Sequence, residues 1–445
     1  MLYSKRAVAP PDAVLQPLHG QVLRESAMKA HSIRKVLSAA FPLLLVVLAT
    51  LLPSWSATFK VLHHFAGGSD GEFPSWALKQ DPNGNLLGTT YGGGQFQGGV
   101  ALELSPNQDN SWSESVLYNF NFNSDEGSSP ATGLALDSNG NLYGSTISGG
   151  PTDGGTVFEL SPGPTGWTIS LVSELSGASS MVVDNVGTLY GALGPGDYEA
   201  GAIAQLSQSP QGWTYSVLYS FCAHPPQCPD GEAPAGPLTW DSAGNLYGTT
   251  LYGGKQQPYC TADSFGCGVV FQLTPVGDGT WTYHLLHGFA ASSQDGQSPS
   301  GTLVIDRNGS VYGTTASGGP TGGGTVFRLT PSTVGRGWVE TTLYTFPDCA
   351  LGCSPIHGLA IDKAGNLYGS AGGGEKACPG GVYCGVLFRL VRQRNGSWKY
   401  TVLHTFTGSD GAAPNGVIVG EDGSLYGTTV FGGESNKGVA FEITP

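Results

Sequence analysis

One hairpin phrase recurs along the chain, and its recurrence restricts the fold more than any other feature of the sequence. It reads DSNGNLYGST at 137–146, DSAGNLYGTT at 241–250 and DKAGNLYGSA at 362–371. In each copy a Gly stands where a hairpin turn needs a positive backbone φ, and the Asp side chain can cap the turn. Seven copies can be counted, centred on Leu87, Tyr143, Tyr190, Tyr247, Tyr312, Tyr368 and Tyr426.

Each copy belongs to a longer unit with four strand-like segments. A strand such as SVLYNF follows a recurring Trp, and a variable loop that usually contains Asp-Gly and closes on Pro comes next. The hairpin segments GLALD and NLYGT follow, then a Gly-rich loop, and a segment such as GTVFELSP ends the unit. Units of about 40–50 residues with four strands each are typical of a β-propeller. The recurring residues are Trp112, Trp167, Trp213, Trp281, Trp338 and Trp398.

The two ends of the repeat array favour a closed ring over an open solenoid. The segment FKVLHHF at 59–65 copies the strand after the Trp without a hairpin before it, and GVAFEITP at 438–445 lacks that strand. The first strand can therefore complete the last unit and remove the open edges of a solenoid. We predict an all-β fold, a seven-bladed β-propeller of four-stranded antiparallel blades closed by the N-terminal strand. The third unit, 168–213, is the shortest and is predicted to be a degenerate blade.

Composition agrees with a globular, turn-rich protein of acidic character. Of 445 residues, 39% are hydrophobic, which is enough for a large core, and 70 Gly and 29 Pro without a three-residue period indicate many turns. Residues 58–445 hold 13 Lys/Arg and 31 Asp/Glu, a net charge of −18. Such a charge repels polyanions, so nucleic acid and anionic membrane surfaces are not expected partners.

Residues 1–57 are predicted to be a signal peptide with extra N-terminal residues. From Met28, a basic stretch, an apolar run at 39–52 and small residues follow in the order of a secretory signal. Met28 is therefore the expected true start, with cleavage near Ala57. The apolar run is short for a bilayer span, although a single membrane anchor is the alternative. The mature chain, 58–445, is expected to be secreted or at the cell surface, without a membrane span.

The eight cysteines fall into four close pairs. In an exported protein such pairs indicate local disulfides, and loops this short gain only about 2 kcal/mol each in the chain-entropy estimate. A zinc site is the alternative, but no pair has the usual C-x₂-C spacing. The predicted disulfides are Cys222–Cys228, Cys260–Cys267, Cys349–Cys353 and Cys378–Cys384.

The repeated unit resembles a known family. The segment GLALDSNGNLYGSTISGGPTDGGTVFELSP at 133–162 is similar to repeats of the GloVer tandem-repeat family of exported bacterial proteins. The resemblance covers 59–445 and implies a repeat fold and export to the cell surface or beyond. It implies no reaction.

The variable loops are the candidate site. The loop before each inner strand and the loop between the second and third strands open on one face, called here the loop face, and the hairpin turns lie on the other, the hairpin face. All cysteines are predicted on the loop face, and function tends to lie on variable loops held by a rigid scaffold. Five loop aspartates could bind cations or sugar hydroxyls, although Asp-Gly is also simply a good turn: Asp70, Asp125, Asp230, Asp295 and Asp410.

Aromatic residues and one His complete the candidate ligand-binding set. Trp76 and His357 break the repeat pattern two positions after a loop Pro, where other units place Thr or Gly. Both are expected near the loop-face end of inner strands, where an aromatic face or imidazole could meet a ligand. Tyr91, Tyr252 and Phe431 precede Gly-Gly runs on that face and could stack on sugar rings. Local packing explains all five equally well.

No catalytic motif stands out. His63, His287 and His404 occupy a repeat position held elsewhere by Tyr, which indicates a packing role with a polar tip. A Walker loop and an HExxH motif are absent from the sequence. No cofactor is expected, and calcium binding is compatible with the acidic turns without being required.

These observations predict a monomeric, non-catalytic binding or scaffold protein whose ligand is a carbohydrate or a cell-surface protein. An extracellular polysaccharide-active enzyme, a glycosidase or lyase, is the first alternative, and it needs two loop carboxylates with different pKa values. A structural envelope protein without a specific ligand is the second alternative.

Overall fold

The computed structural model describes residues 57–445 apart from a few loop positions. The omitted positions are 176–178, 226, 255–259, 261–265, 290–291, 293, 334–336, 348, 375–377 and 379–383. The predicted leader therefore lies outside the described residues, except for Ala57. Within the described part, no helix is long and apolar enough to cross a membrane.

The described chain folds into seven antiparallel sheets, the blades. It begins with β1 (Thr58–His64) and a short 3₁₀ helix at Gly68–Asp70. Blade 1 contains β2 (Glu72–Pro74), β3 (Lys79–Gln80), β4 (Leu86–Gly92), β5 (Gln97–Pro106) and β6 (Trp112–Asn121). Blade 2 contains β7 (Ser128–Pro130), β8 (Ala135–Leu136), β9 (Leu142–Ser148), β10 (Val157–Gly163) and β11 (Gly166–Ser173). In these two blades the inner strand is split into two short pieces.

Blades 3 to 5 follow the same order. Blade 3 contains β12 (Val182–Val183), β13 (Leu189–Ala192), β14 (Ala202–Ser209) and β15 (Gly212–Ser220). Blade 4 contains β16 (Glu232–Trp240), β17 (Leu246–Tyr252), β18 (Val269–Pro275) and β19 (Trp281–Gly288). Blade 5 contains β20 (Gly296–Ile305), β21 (Val311–Gly318), β22 (Thr325–Pro331) and β23 (Trp338–Thr345). Blade 3 has the shortest first and second strands of the three, as the degenerate third unit predicts.

The ring closes through the first strand, which confirms the prediction from the chain ends. Blade 6 contains β24 (Leu359–Ile361), β25 (Leu367–Ala371), β26 (Val386–Arg392) and β27 (Trp398–Thr405). Blade 7 contains β28 (Ala412–Val419), β29 (Leu425–Phe431) and β30 (Val439–Thr444), and β1 pairs antiparallel with β30 as its fourth strand. The seven-bladed all-β propeller predicted from the sequence is therefore observed.

The Asp of the recurring hairpin phrase stabilises the turn by hydrogen bonds. In blade 2, Asp137 Oδ1 accepts hydrogen bonds from the backbone N–H groups of Asn139 and Asn141, both at 2.8 Å. Its Oδ2 accepts from the Asn141 side-chain amide at 3.0 Å. Gly140 has a φ of 88°, a conformation that favours glycine. The Asp, Asn and Gly of the phrase thus each contribute to the turn in this blade.

Phenylalanines hold neighbouring blades together. A buried Phe at the end of a fourth strand meets a buried Phe on the third strand of the next blade, edge to face or tilted. Each such pair adds about 0.5–1.5 kcal/mol to the gain from burial. The pairs, with ring centroids 5.0–5.5 Å apart, are Phe120–Phe158, Phe221–Phe271, Phe289–Phe327, Phe346–Phe388 and Phe406–Phe441.

All four predicted disulfides are present and all lie in loops of the loop face. Cys222–Cys228 and Cys349–Cys353 precede inner strands. Cys260–Cys267 and Cys378–Cys384 lie in the loops that connect second strands to third strands. Since each bridge spans four to seven positions of sequence, the bridges stiffen loops more than they join distant parts of the fold.

Candidate functional site

Four of the five predicted loop aspartates pair with the fourth strand that precedes them. Each carboxylate contacts the His or Tyr found at one repeat position of the fourth strand. The His and Tyr side chains therefore share a polar role at this position, as the sequence predicted. Because fourth strands are outermost, these carboxylates are held away from the inner strands. The pairs are Asp70 with His63 (2.8 Å), Asp230 with Tyr219 (2.8 Å), Asp410 with His404 (2.9 Å) and Asp295 with His287 (3.3 Å).

Blade 2 makes the same contact with a neighbouring residue. Here Glu126, directly after the predicted Asp125, accepts a hydrogen bond from Tyr118 Oη at 2.5 Å. Blade 2 therefore keeps the contact between a carboxylate and the fourth-strand Tyr, but the carboxylate belongs to the residue after the predicted Asp. A ligand-binding role for the five loop aspartates stays a prediction.

Two seams between blades carry a second carboxylate beside the His–Asp pair. Burial, and then the Asp70 carboxylate, raise the pKa of Glu114 from its ordinary 4.5 to about 7. Burial, and then Asp295, raise the pKa of Glu340 in the same way. Both glutamates stand on outer strands, two residues after the recurring Trp. Neither residue lines the channel cavity or the hairpin-face grooves described below.

Trp76 and His357 come together, as their shared departure from the repeat suggested. Their rings meet edge to face with centroids 5.5 Å apart, although they belong to blades 1 and 6. Asn415 and Thr428 of blade 7 fix the backbone beside Trp76, by hydrogen bonds to the carbonyls of Pro74 (2.9 Å) and Trp76 (3.1 Å). Burial lowers the pKa of His357 from 6.5 to about 4.

The remaining predicted aromatics lie apart from this pair. Tyr91 and Tyr252 are exposed, at 44% and 39% of their surface. Phe431 packs edge to face on Phe73, with centroids 5.5 Å apart, and Lys437 Nζ stands 4.6 Å from the Phe73 ring centroid. The structure does not gather these three aromatics into one site.

Inner strands of blades 1 to 5 enclose a channel cavity of about 350 Å³. Trp76 lines it near the loop face, and Trp240, the last residue of β16, lines it near the hairpin face. Met181 and Leu238 add apolar wall, and Lys79 contributes one amino group. The channel is thus bounded by one indole at each end.

A second cavity of about 540 Å³ opens between blades 3 and 4 on the hairpin face, and we call it the aromatic groove. Tyr190, Trp240 and Trp281 line it, with ring centroids 5.0, 6.0 and 6.4 Å apart. Trp240 and Val183 line both the aromatic groove and the channel cavity. The two spaces are therefore neighbours separated by one indole.

Two turn aspartates at the aromatic groove differ in their free acceptor capacity. Asp241 accepts four hydrogen bonds within its own turn, from Ala243, Asn245 twice and Tyr247, at 2.7–3.0 Å. Burial alone would raise the pKa of Asp241, but these bonds lower it below its ordinary value. Asp184 Oδ1 accepts from the N–H groups of Val186 and Thr188, at 3.0 and 2.9 Å. Within the described chain, its Oδ2 accepts only from Tyr190 Oη, at 3.2 Å, because Thr188 stands where four other turns have Asn.

Sequence reasoning missed Trp240, although a signal for it exists. Six other units place Gln80, Leu136, Val183, Ile305, Ile361 or Val419 at the end of the inner strand. An indole there breaks the repeat in the way that drew attention to Trp76. Its Nε1–H is buried and has no hydrogen-bond partner among the described residues. Since such a group costs about 1–3 kcal/mol, local stability alone does not account for this Trp.

Metal ligands do not cluster in the part of the chain that the structure describes. No group of three or more His, Cys, Asp or Glu there has the arrangement to hold a metal ion.

Comparisons with known proteins give a family and a set of distant folds. The model of the Gloeobacter/Verrucomicrobia repeat matches residues 50–261, 168–373 and 259–445. No curated protein matches the chain. Among solved structures, a gluconolactonase from Xanthomonas campestris is 16% identical with a TM-score of 0.40, over 70% of this chain and 84% of its own.

Two further solved structures are similar at the same distance. A putative oxidoreductase (glucose dehydrogenase) from Thermus thermophilus is 17% identical with a TM-score of 0.40, over 87% of this chain and 100% of its own. A protein of unknown function from Dyadobacter fermentans is 12% identical with a TM-score of 0.44, over 87% of this chain and 99% of its own. Likeness at this level says nothing about the activity of this chain.

Proposed function

The chain belongs to the Gloeobacter/Verrucomicrobia repeat family, and on that basis we propose that it is an exported, non-catalytic propeller that binds carbohydrate in the aromatic groove. The observation that carries the proposal is the meeting of Tyr190, Trp240 and Trp281 beside a carboxylate with spare acceptor capacity, Asp184. Aromatic walls with a few well-placed polar groups are what a small-molecule site requires.

The chemistry of the aromatic groove suits a sugar. The apolar face of a pyranose can lie on an indole, and its hydroxyls can donate to Asp184 Oδ2. The volume of about 540 Å³ falls in the usual range for ligand sites.

Export is supported by the cysteines. Four disulfides form and persist in oxidising compartments, and among the described residues no cysteine is free. The leader predicted at 1–57 agrees with that compartment. A secreted or surface-held location is therefore part of the proposal.

One observation favours an enzyme as the second candidate. Glu114 has a raised pKa beside the Asp70 carboxylate, and a glycosidase uses two carboxylates whose pKa values differ. The site would then lie at the seam of blades 7 and 1, and Glu114→Gln would abolish release of reducing sugar. The aromatic groove predicts retention of the protein on a glycan without such release.

The test uses residues 58–445 purified from an oxidising host and a panel of neutral soluble and insoluble polysaccharides. Retained protein and released reducing sugar are both recorded, and the affinity for the best glycan is then measured by calorimetry. We expect Trp240→Ala and Trp281→Ala to weaken binding at least tenfold, because buried Trp residues dominate binding energies.

The matched control is Trp338→Ala. Trp338 is the equivalent of Trp281 one blade further on and packs against Tyr247, with ring centroids 6.5 Å apart, outside the aromatic groove. Binding unchanged in this variant and lost in the other two supports the proposal, provided that all three melt cooperatively. Equal losses in all three, or no retention on any neutral glycan, would contradict it.

A further inference from the structure

A third cavity, between blades 5 and 6 on the hairpin face, has a chemistry opposite to that of the aromatic groove. It measures about 500 Å³, and we call it the basic groove. Its wall contains Arg307, Lys363 and Arg392 together with Tyr312 and Trp398. It is the counterpart of the aromatic groove two blades further round the ring, since both lie between neighbouring hairpin turns.

The three cations are departures from the repeat. Arg307 and Lys363 follow the turn Asp, where other units place Pro, Ser, Asn or Glu. Arg392 ends a third strand, opposite Trp398, where most units have Pro opposite the Trp. All three side chains are exposed. Turn formation needs none of them, because blades without them form the same turns.

The positive charge of residues 58–445 is concentrated in the segment that forms blades 5 and 6, on either side of this groove. Residues 296–405, which contain blades 5 and 6, hold nine Lys/Arg and five Asp/Glu, whereas the rest of 58–445 holds four and 26. Beneath the groove, Arg328 and Arg389 stand opposite Tyr312 and Tyr368, at a position that is Glu or Gln in the other blades. Blades 5 and 6 are therefore positive within an acidic protein.

Nothing in the described part of the chain neutralises the three exposed cations by an ion pair. The salt bridges found there all involve other residues. Arg307 Nη2 donates to the Lys363 carbonyl at 2.8 Å, which joins the two turns across the groove. Cations held beside one another without an ion-pair partner attract an anion, and its binding is favourable because it neutralises their charge.

The two turn aspartates of the basic groove accept hydrogen bonds within their own turns, as the turn aspartates of the aromatic groove do. Asp306 accepts from the N–H groups of Asn308 and Ser310 and from Tyr312 Oη, at 2.8–3.0 Å. Asp362 makes the same bonds in its own turn, and also accepts from the Asn366 amide at 2.7 Å. Among the described residues, no salt bridge joins either carboxylate to the three cations.

We propose that the basic groove binds the anionic sugar residues of an acidic polysaccharide. Arg307, Lys363 and Arg392 would pair with a carboxylate or sulfate carried on the ring, and the Trp398 indole would receive the apolar face of the ring. The rest of the molecule is acidic and repels an acidic polysaccharide, so such a polymer can bind only at this groove. The inference does not need the aromatic groove to bind anything.

The probes are polygalacturonate and its methyl ester, which share a backbone and differ in charge. Binding to the acid is measured for residues 58–445 and for the triple variant Arg307→Gln/Lys363→Gln/Arg392→Gln. An exposed ion pair contributes roughly a factor of two to five in affinity at low salt. We therefore expect the triple variant to bind at least tenfold more weakly, and wild-type binding to fall steeply with added salt.

A matched variant removes the same charge elsewhere. Lys60→Gln/Lys79→Gln/Lys437→Gln lies outside blades 5 and 6 and should bind polygalacturonate within about threefold of wild type, the change that net charge alone gives. The single variant Arg392→Gln gives an intermediate loss and serves if the triple variant melts early. The neutral-glycan assay of the aromatic groove is run on the same proteins, so the two proposals can fail separately.

Several outcomes would overturn the inference. These are equal binding of acid and ester, no binding of the acid, an undiminished triple variant, or an equal loss in the matched variant. Displacement by inorganic phosphate, where chloride of equal ionic strength has no effect, would show a site for small anions instead of a polymer.

One further outcome would support the inference. If dextran sulfate replaced polygalacturonate with the same pattern among the variants, the groove would bind anionic sugars in general, with sulfate as the favoured anionic group.

Discussion

The imidazole of His357 is kept neutral by burial, with its pKa lowered to about 4. The unfolded chain binds a proton near pH 6.5 that the folded chain refuses, so the free energy of unfolding falls as the pH drops from 6.5 to 4. We expect this loss to be on the order of 2–3 kcal/mol and to disappear in His357→Leu. Urea unfolding at pH 4, 5, 6.5 and 8 measures it. An unchanged pH profile in the variant would show that the imidazole is not buried as described.

Glu114 has the opposite effect in the same pH range. Its raised pKa means that the folded state holds a proton between pH 4.5 and about 7 that the unfolded state has lost, so stability falls as the pH rises. After allowance for solvent screening, we expect Glu114→Gln to raise the free energy of unfolding at pH 8 by about 1 kcal/mol and to leave it unchanged at pH 4. A loss of stability at pH 8 would mean that the carboxylate is needed in its charged form.

Residues that break the repeat were readable from the sequence, and pairings across blades were not. Trp76 and His357 were found because each stands where other units have Thr or Gly, and Trp240 fails the same kind of comparison. The raised pKa of Glu114 comes first from its burial and then from the Asp70 carboxylate, 44 positions earlier in the chain. The two residues are neighbours because the ring brings adjacent blades together, and no local sequence pattern predicts that contact.

The Gly of the recurring LYG step is explained at the scale of the strand pair. A Cβ on Gly313 would lie 2.5 Å from Cζ of Phe327, the buried Phe of the next strand. Blade 3 lacks this Phe, and a Cβ on Gly191 would meet only Met181, at 3.2 Å, and the Leu193 side chain, at 3.6 Å. The hairpin phrase and the third-strand Phe therefore form one packing unit.

This packing gives a paired prediction. Gly313→Ala should lower the free energy of unfolding by about 1–3 kcal/mol, because overpacking displaces the Phe327 ring. Gly191→Ala should cost less than about 1 kcal/mol, since one flexible Met can move aside. Chemical denaturation of the two variants measures both values. Equal costs would show that the Phe does not set the requirement for Gly.

Strand order and turns followed from the sequence, whereas the bulge in the fourth strands did not. In every blade the register between third and fourth strands shifts at the same place, and Leu or Val is the residue passed over there; blade 1 has one further shift. Segments such as SVLYNF therefore have two adjacent apolar residues where strict alternation allows one. A bulge increases strand twist, which a blade requires, but adjacent apolar residues are equally typical of a strand buried on both faces.

At the scale of the molecule, one strand joins the first and last blades. Deleting residues 58–66 would leave β30, Val439–Thr444, as an open edge with an uncovered core at Phe441. We expect the truncated protein to lose several degrees in Tm and to self-associate, and a synthetic peptide of residues 58–66 to restore both properties. Calorimetry and light scattering follow the two effects. A truncated monomer with an unchanged Tm would mean that closure contributes nothing.

The ring also sets equivalent grooves side by side and gives them different chemistry. The aromatic groove carries two carboxylates on its wall and no cation, and the basic groove carries three cations. The sequence predicted the scaffold and placed the site on the loop face. It could not predict that residues far apart in sequence, such as Tyr190 and Trp281, would face each other on the hairpin face.

The most direct test measures two ligands against two variants. Affinities for the best neutral glycan and for polygalacturonate are determined with wild type, Trp240→Ala and the triple basic-groove variant. The account predicts a crossed pattern, in which Trp240→Ala loses the neutral glycan alone and the triple variant loses polygalacturonate alone. If both variants lost both ligands, or neither variant lost either, the two grooves would not be the binding sites.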